Sequence, residues 1–401
     1  MKHTLAILAI AGTALLAMAY AACRPLPAAA AVSPEDIQAA RACGLSSEDS
    51  RRLGEDVSIL LSLVQADVLQ KEDIQRAATA LLERPDTPWP VETYEVVPDE
   101  GAVRLGGVSL PLPNDHDLQP RGLTTYSVWC QVAWQPDGPF AIPAAGHPTG
   151  PFDTSWLLAL LPNRGACYQL VSAPAAWRLS SILELPKVSL PETEAGPAAP
   201  PLGFYAYMAL DAPGLGLDAG LVLNPETGRW DVFTWWRTVD ETVWRQGSLE
   251  PTPESGSKFL LILEVTREGN GCNLRIYDTS NWTLAGWFYE PLPPECHITR
   301  ANLAMEFRLV SAVATSRGDV PPGVRYSCIW QAPSLAGLTE VPPGKDGTRT
   351  LWGMKLAPGW TLLSRDYVQG TGSYPAPPDP TVWVYLPAVS YREVIVEIRG
   401  E

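Results

Sequence analysis

"LDAGLVLNPETGRWDVFTWWR", residues 217–237, sets an Asn224-Pro225-Glu226-Thr227-Gly228 turn between two runs of strand-forming residues. Such a turn between such runs predicts a β-hairpin. Trp230, Phe233, Trp235 and Trp236 follow the turn within a few residues. A strand that serves one core buries only alternate positions, so some of these rings must point away from that core.

The same rhythm extends outward in both directions from about Trp89. "TTYSVWCQVAW", "GFYAYMAL", "KFLLILEV", "NLRIYD", "TVWVYL" and "REVIVEIR" are short runs separated by Pro, Gly, Asn and Asp. With 40 prolines and 32 glycines in 401 residues, long helices are excluded from this part. The pattern predicts an all-β sandwich or barrel. The hydrophobic fraction of 46% against 18% charged residues supplies real cores and argues against disorder.

Only residues 33–86 read as helical. Ser33-Pro34-Glu35 is a cap with proline at the first helical position, and Ser46 or Ser47 before Glu48 and Asp49 marks a second start. Val57, Leu60, Leu61, Val64 and Val68 recur at helical spacing. Three short helices ending near Arg84 are expected, with one narrow apolar stripe. That stripe cannot form a core alone, so the helices are expected to pack on the rest of the chain.

The N-terminus, with Lys2 before an apolar run from Leu5 to about Ala19, reads as an export signal over residues 1–22. Ala21-Ala22-Cys23 is similar to the end of a bacterial lipobox, although Tyr20 stands where an aliphatic residue is usual. Lipidation of Cys23 would leave Cys43, Cys130, Cys167, Cys272, Cys296 and Cys328, an even number for an oxidising compartment. Cleavage after Ala30 gives the same parity. Cys130 with Cys167 and Cys272 with Cys296 are pairs suggested by proximity in sequence, other pairings remaining open. Residues 23–32 then form a tether, 87–190 a β-rich module, 191–202 a Pro-rich linker or loop, and 203–401 a β-sandwich.

Twenty-nine basic against 44 acidic residues give a net charge of −15. No basic run is present to neutralise a phosphate backbone, so nucleic acid is not expected as a partner. His116, His147 and His297 stand apart without a second His at helical spacing, and no Cys-x-x-Cys occurs, so neither a metal nor a cofactor is expected. "GLGLDAG", residues 214–220, has its third glycine one place late for a dinucleotide loop and leads into a strand. "NDHD", residues 114–117, lacks the spacing of a calcium loop.

Splitting each predicted strand by its period of two separates two sets. Phe204, Ala206, Met208, Leu210, Trp230, Val232 and Trp236 read as core, as do Phe259, Leu261, Leu263, Val265, Leu274 and Ile276. If the strands share a sheet, the opposite face collects Tyr205, Tyr207, Asp231, Trp235, Arg237, Glu264, Arg275 and Tyr277. Rings mixed with both charge signs suit a sugar, whose C–H faces stack on aromatics while charged groups bond its hydroxyls. The same face could instead be covered by the helices or by other strands, turning every ring into core.

"GFYAYMAL", "LDAGLVLNPETGRWDVFTWW", "KFLLILEV", "CNLRIYD" and "WTLAGWFY", over about residues 200–310, resemble the jelly-roll sandwich of concanavalin A-like lectins and glucanases and of uncharacterised secreted bacterial proteins on that sandwich. The resemblance implies two antiparallel sheets with glycan on the concave face or in rim loops. Glucanases of this class carry a Glu-x-Asp-x-Glu strand, and no such triplet occurs here, so no catalytic residue is carried over. The expected protein is a mainly β, antiparallel jelly-roll-like sandwich with a small N-terminal helical region. It would be exported, joined to a membrane only through lipid on Cys23, and would recognise polysaccharide or another envelope component without catalysis. A structural or self-associating envelope protein and a glycan-cleaving enzyme without a motif are the alternatives.

Overall fold

A computed structural model of the chain describes residues 34–83, 87–97, 101–113, 126–135, 138–143, 165–172, 176–191, 201–212, 215–238, 241–250, 252–254, 256–294, 306–316, 320–336, 349–356, 360–362, 382–385 and 393–399. Cys23, His116, His147, Cys296 and His297 lie outside the described residues. The fold is mainly β, with two antiparallel sheets and, among the described residues, helices only at the N-terminal end.

The first sheet has twelve strands. Across it run β3 (Val108–Pro111), β2 (Ala102–Leu105), β1 (Glu92–Val97), β11 (Thr242–Ser248), β10 (Arg229–Arg237), β9 (Leu215–Asn224), β8 (Leu202–Ala212), β15 (Glu306–Thr315), β6 (Gly165–Ser172), β17 (Arg349–Leu356), β4 (Tyr126–Gln135) and β5 (Gly138–Pro143). The second has eight: β14 (Thr283–Pro291), β13 (Gly271–Asp278), β12 (Lys258–Val265), β7 (Arg178–Ser189), β16 (Arg325–Ala336), β20 (Glu393–Arg399), β19 (Val382–Tyr385) and β18 (Trp360–Leu362). Among the described strands, only β18 and β19 pair parallel. Strands from before residue 190 are interleaved with later ones in both sheets, so the described strands of residues 87–190 do not make a sheet of their own.

The quoted hairpin is β9–β10, paired from Asn224↔Arg229 to Gly216↔Arg237. Its turn closes through Gly228 N–H donating to Asn224 O at 2.9 Å, with Gly228 at φ 66°. The Asn224 side-chain oxygen accepts from Glu226 N–H at 2.9 Å, the local bond that makes Asn a turn former.

Between the sheets lie Phe204, Met208, Leu210 and Val232 from the first, and Phe259, Leu261, Leu263, Leu274 and Trp330 from the second. Phe204 stacks on Tyr326 with centroids 6.3 Å apart, and Trp330 Nε1–H donates to Ser311 Oγ at 3.0 Å. The first sheet also curls. Through seven strands it rolls until β3 meets β8, where Tyr205 O–H donates to Pro111 O at 2.6 Å. Val103, Leu105 and Leu110 thereby close over the concave face of β8 to β11.

The helical region comprises α1 (Pro34–Ala42), α2 (Ser47–Leu53), α3 (Val57–Gln65) and α4 (Ile74–Leu82), with short 3-10 turns before α3 and α4. Ser46 is the second cap, its Oγ accepting from Asp49 N–H at 3.0 Å. The apolar stripe does pack on the rest of the chain. Leu60, Leu63, Ile74 and Leu81 join Ile182, Leu260, Ile262, Tyr277 and Trp282 on the outer face of the second sheet. None of the described helices is long and apolar enough to cross a membrane, which says nothing of spanning by strands.

Candidate functional site

Register decides what shares a face with what. On the concave face of the curled sheet, directly opposed residues form rows across β15, β8, β9, β10 and β11. One row is Glu306–Asp211–Gly216–Arg237–Thr242, the next Arg308–Ala209–Asp218–Trp235–Trp244. The two after it are Val310–Tyr207–Gly220–Phe233–Gln246 and Ala312–Tyr205–Val222–Asp231–Ser248. Charge therefore gathers at one rim, rings fill the middle, and Asp231 lies at the far side.

The middle is packed solid. Phe233 stacks on Trp244 at 4.6 Å, while Tyr205 and Tyr207 meet Phe233 edge-on at 5.7 and 5.5 Å. Tyr205 and Tyr207 are fully buried, because β1, β2 and β3 curl over them. Their expected role as open stacking platforms is corrected accordingly: neither ring has a face turned to solvent. Asp231 Oδ2 accepts from Asn224 Nδ2 and Gln246 Nε2, each at 2.8 Å, and braces the hairpin end of the same face.

Glu264, Arg275 and Tyr277 are not beside these residues at all. They stand on the outer face of the second sheet, beneath the helices. Asp56, ahead of α3, receives Arg275 at 2.8 and 3.1 Å and Arg178 at 3.0 Å, and Arg275 Nη2 reaches Glu264 at 3.4 Å. Burial works against the Arg275 charge, but Asp56 and Glu264 outweigh it and hold the guanidinium protonated. This cluster fastens the helical cap to the sheet. The single ligand face expected from strand parity is thus two faces on two sheets, because parity orders residues within a strand and does not say which strands pair.

The expected disulfides are corrected as well. Cys272 is an unbridged, buried thiol, and Cys43 and Cys328 are unbridged too. β17 lies between β4 and β6, which sets the backbones carrying Cys130 and Cys167 about 9.5 Å apart or more, two strand spacings and beyond disulfide reach.

At the charged rim, Arg308 Nη2 pairs with Asp211 Oδ2 at 2.5 Å and Arg237 Nη2 with Asp218 Oδ2 at 3.4 Å. Asp218 and Arg308 are fully buried, whereas the side chains of Asp211 and Arg237 keep 23% and 17% of their exposure. The Arg237 guanidinium lies 3.8 Å above the Trp235 ring, a cation–π contact. Trp235 Nε1–H donates to Thr242 Oγ1 at 2.9 Å, fixing the ring. Trp235 itself is buried beneath this guanidinium, so it orients Arg237 and presents no open ring face.

Of the eight nominated residues, only Trp235 and Arg237 reach this rim. Asp211, Gly216, Asp218 and Arg308 complete it and were not nominated. Asp211 carried a signal, since period two puts it on the face of Tyr205 and Tyr207; Arg308 joins only through long-range pairing of β15 with β8.

No protein-family model and no curated protein matches the chain. Solved structures do. LamAcat from Zobellia galactanivorans is 14% identical, with 45% of this chain and 62% of that chain covered and a TM-score of 0.22. A glycosyl hydrolase family 16 protein from Mycobacterium smegmatis is 9% identical, covering 68% and 91%, at 0.25. The enzymatically active domain of tailspike protein 2 from bacteriophage CBA120 is 13% identical at 0.23; it is matched over 40% of this chain, which spans 23% of that one. The neighbours thus include jelly-roll proteins of the class named from the sequence, and the likeness is weak, partial and confined to the fold.

Among the described residues no cluster of three or more His, Cys, Asp or Glu is placed to hold a metal ion. Among the described residues, Glu290 is another carboxylate with a marked environment. It is buried where β14 meets the first sheet, bound by Arg245 and by Thr234 Oγ1 at 2.8 Å, and burial raises it above the usual carboxylate value. It joins the two sheets, and the open rim lies on the other face of β10.

Proposed function

We propose that the protein is exported, held at the cell envelope by lipid on Cys23, and recognises polysaccharide or another polyhydroxylated envelope component at the charged rim of its curled sheet, without cleaving it. One observation carries this: a row of partly exposed groups of both signs, Asp211 and Arg237, stands on buried partners, Asp218 and Arg308. Paired carboxylate and guanidinium groups offer fixed acceptors and donors to hydroxyls. Hydrolysis asks for something else, two carboxylates flanking the scissile bond with one protonated. Here Asp211 and Asp218 each stand against an arginine, and the Glu-x-Asp-x-Glu strand is missing.

A glycan array with the purified protein tests the reading, with Arg237→Lys alongside. Lysine keeps a charge for Asp218 and loses the planar fork. Selective binding by the wild type, weakened in a variant of unchanged unfolding midpoint, supports recognition at this rim; silence across all glycans overturns it. Fatty-acid labelling of the chain in cells, abolished by Cys23→Ala, is the expected result for the anchor.

A further inference from the structure

We infer that the niche over Gly216 is a subsite for two adjacent hydroxyls of a neutral sugar ring. The inference rests on the polysaccharide reading above and adds where, and by which chemistry, contact is made. Asp211, Gly216 and Arg237 are directly opposite one another across β8, β9 and β10. Cβ atoms of directly opposed residues lie about 4.5–5.5 Å apart, so a central residue with no side chain leaves a gap between an acid and a base. A methyl placed on Gly216 would sit 3.1 Å from Arg237 Nη2 and 3.6 Å from both Arg237 Nε and Asp211 Oδ1. That point is slightly too tight for a carbon unless Arg237 shifts, yet lies at hydrogen-bonding distance from a donor with an acceptor close by. Gly216 is itself partly exposed, as are its two neighbours.

Adjacent sugar hydroxyls match that border. One donates its proton to the Asp211 carboxylate while its neighbour accepts from the Arg237 guanidinium. Nη2 and Nε are the Arg237 donors that border the niche, and Nη2 meets Asp218 only at a long 3.4 Å, whereas Nη1 is buried. The guanidinium plane is held by Trp235, which Thr242 holds in turn, so little freedom is lost on binding. Charge selects a neutral ligand. Asp211 is matched by Arg308 and Asp218 by Arg237, and Glu306 stands directly opposite Asp211 in the same row, so the rim holds no excess positive charge for an acidic sugar to neutralise, and the chain as a whole carries −15. Glycine at 216 is not required by the backbone, since it is absent from the positive-φ glycines. Its absent side chain is what makes the space.

The test uses the full protein and a panel of neutral polysaccharides (a glucan, a galactan and a mannan) beside alginate and pectate. Each neutral glycan is supplied native and after periodate oxidation, which cleaves bonds between adjacent hydroxyl-bearing carbons. Expected are binding to at least one native neutral glycan, loss of at least tenfold after periodate, and a similar loss in Gly216→Ala at an unchanged unfolding midpoint. Asp211→Asn serves as a second variant should Gly216→Ala not fold; it is expected to weaken binding tenfold. Wild-type binding that survives both periodate and the substitutions overturns the niche and leaves recognition standing, and so does preference for the acidic glycans. No binding to any polysaccharide sinks the functional reading itself.

Discussion

Trp235 separates what a ring does in a core from what it does in a site. It is buried under Arg237 and tilted against Trp244, which stacks on Phe233. Removing a ring from such a cluster loses its burial and leaves a cavity, about 3–5 kcal/mol for Phe or Trp to Ala. Phe233→Ala and Trp235→Ala are both expected to lower stability by that amount in urea denaturation. A Trp235→Ala protein as stable as wild type would show that its ring is not held as described. Period two was enough to group Tyr205 with Tyr207 and Phe233 with Trp235, and the pairing of β8, β9 and β10 then put both groups on one face. Period two was not enough to show that β1 to β3 close over them, because that depends on a curl spread over seven strands.

At the scale of elements, the helical cap depends on a charge that cannot be replaced by water. Asp56 is buried between Arg178 and Arg275, and Arg178 also donates to Glu55 O and Ser58 Oγ at 2.9 and 2.7 Å. Asp56→Ala leaves two buried guanidinium groups without their main partner, a loss of roughly 3–5 kcal/mol. Hydrogen exchange is the measurement that places the damage. Amides of α1 to α4 are expected to lose protection while those of β8 to β10 keep it; uniform loss across both would mean that cap and sandwich unfold as one unit. The helices themselves were readable from Ser46 and the stripe at Val57 to Val68. Their docking partner was not, since Arg178 and Arg275 are far from Asp56 in sequence and Arg275 was read as part of a ligand face.

For the molecule as a whole, buried groups that favour their neutral forms set the pH response. Burial pushes Cys328 up to about 12, Cys272 further in the same direction, and Tyr205 well above the tyrosine range. Each folded value lies above the unfolded one, so the stabilisation is complete below about pH 9 for the thiols and 10 for the tyrosine, and drains away as pH rises towards the folded values. Urea midpoints are expected to fall from pH 9 upward, less steeply in Cys272→Ala/Cys328→Ala; equal slopes would remove the thiols from the account. Glu290 follows the same sign at the acid end. Its contribution is full below 4.5 and is lost as pH rises through its raised folded value, so Glu290→Gln should flatten the profile there. What the sequence determined by itself is local: strand rhythm, the Asn224 to Gly228 turn, helix starts and the parity of each strand, all set by neighbouring residues and backbone geometry. Tertiary structure alone decided which strands pair, and with it that the eight nominated residues divide between two sheets, that Cys130 and Cys167 are held apart, and that Asp211, Gly216 and Arg237 meet in one row. Pairing between distant strands is settled by the packing of the whole chain, and no single stretch of it carries that information.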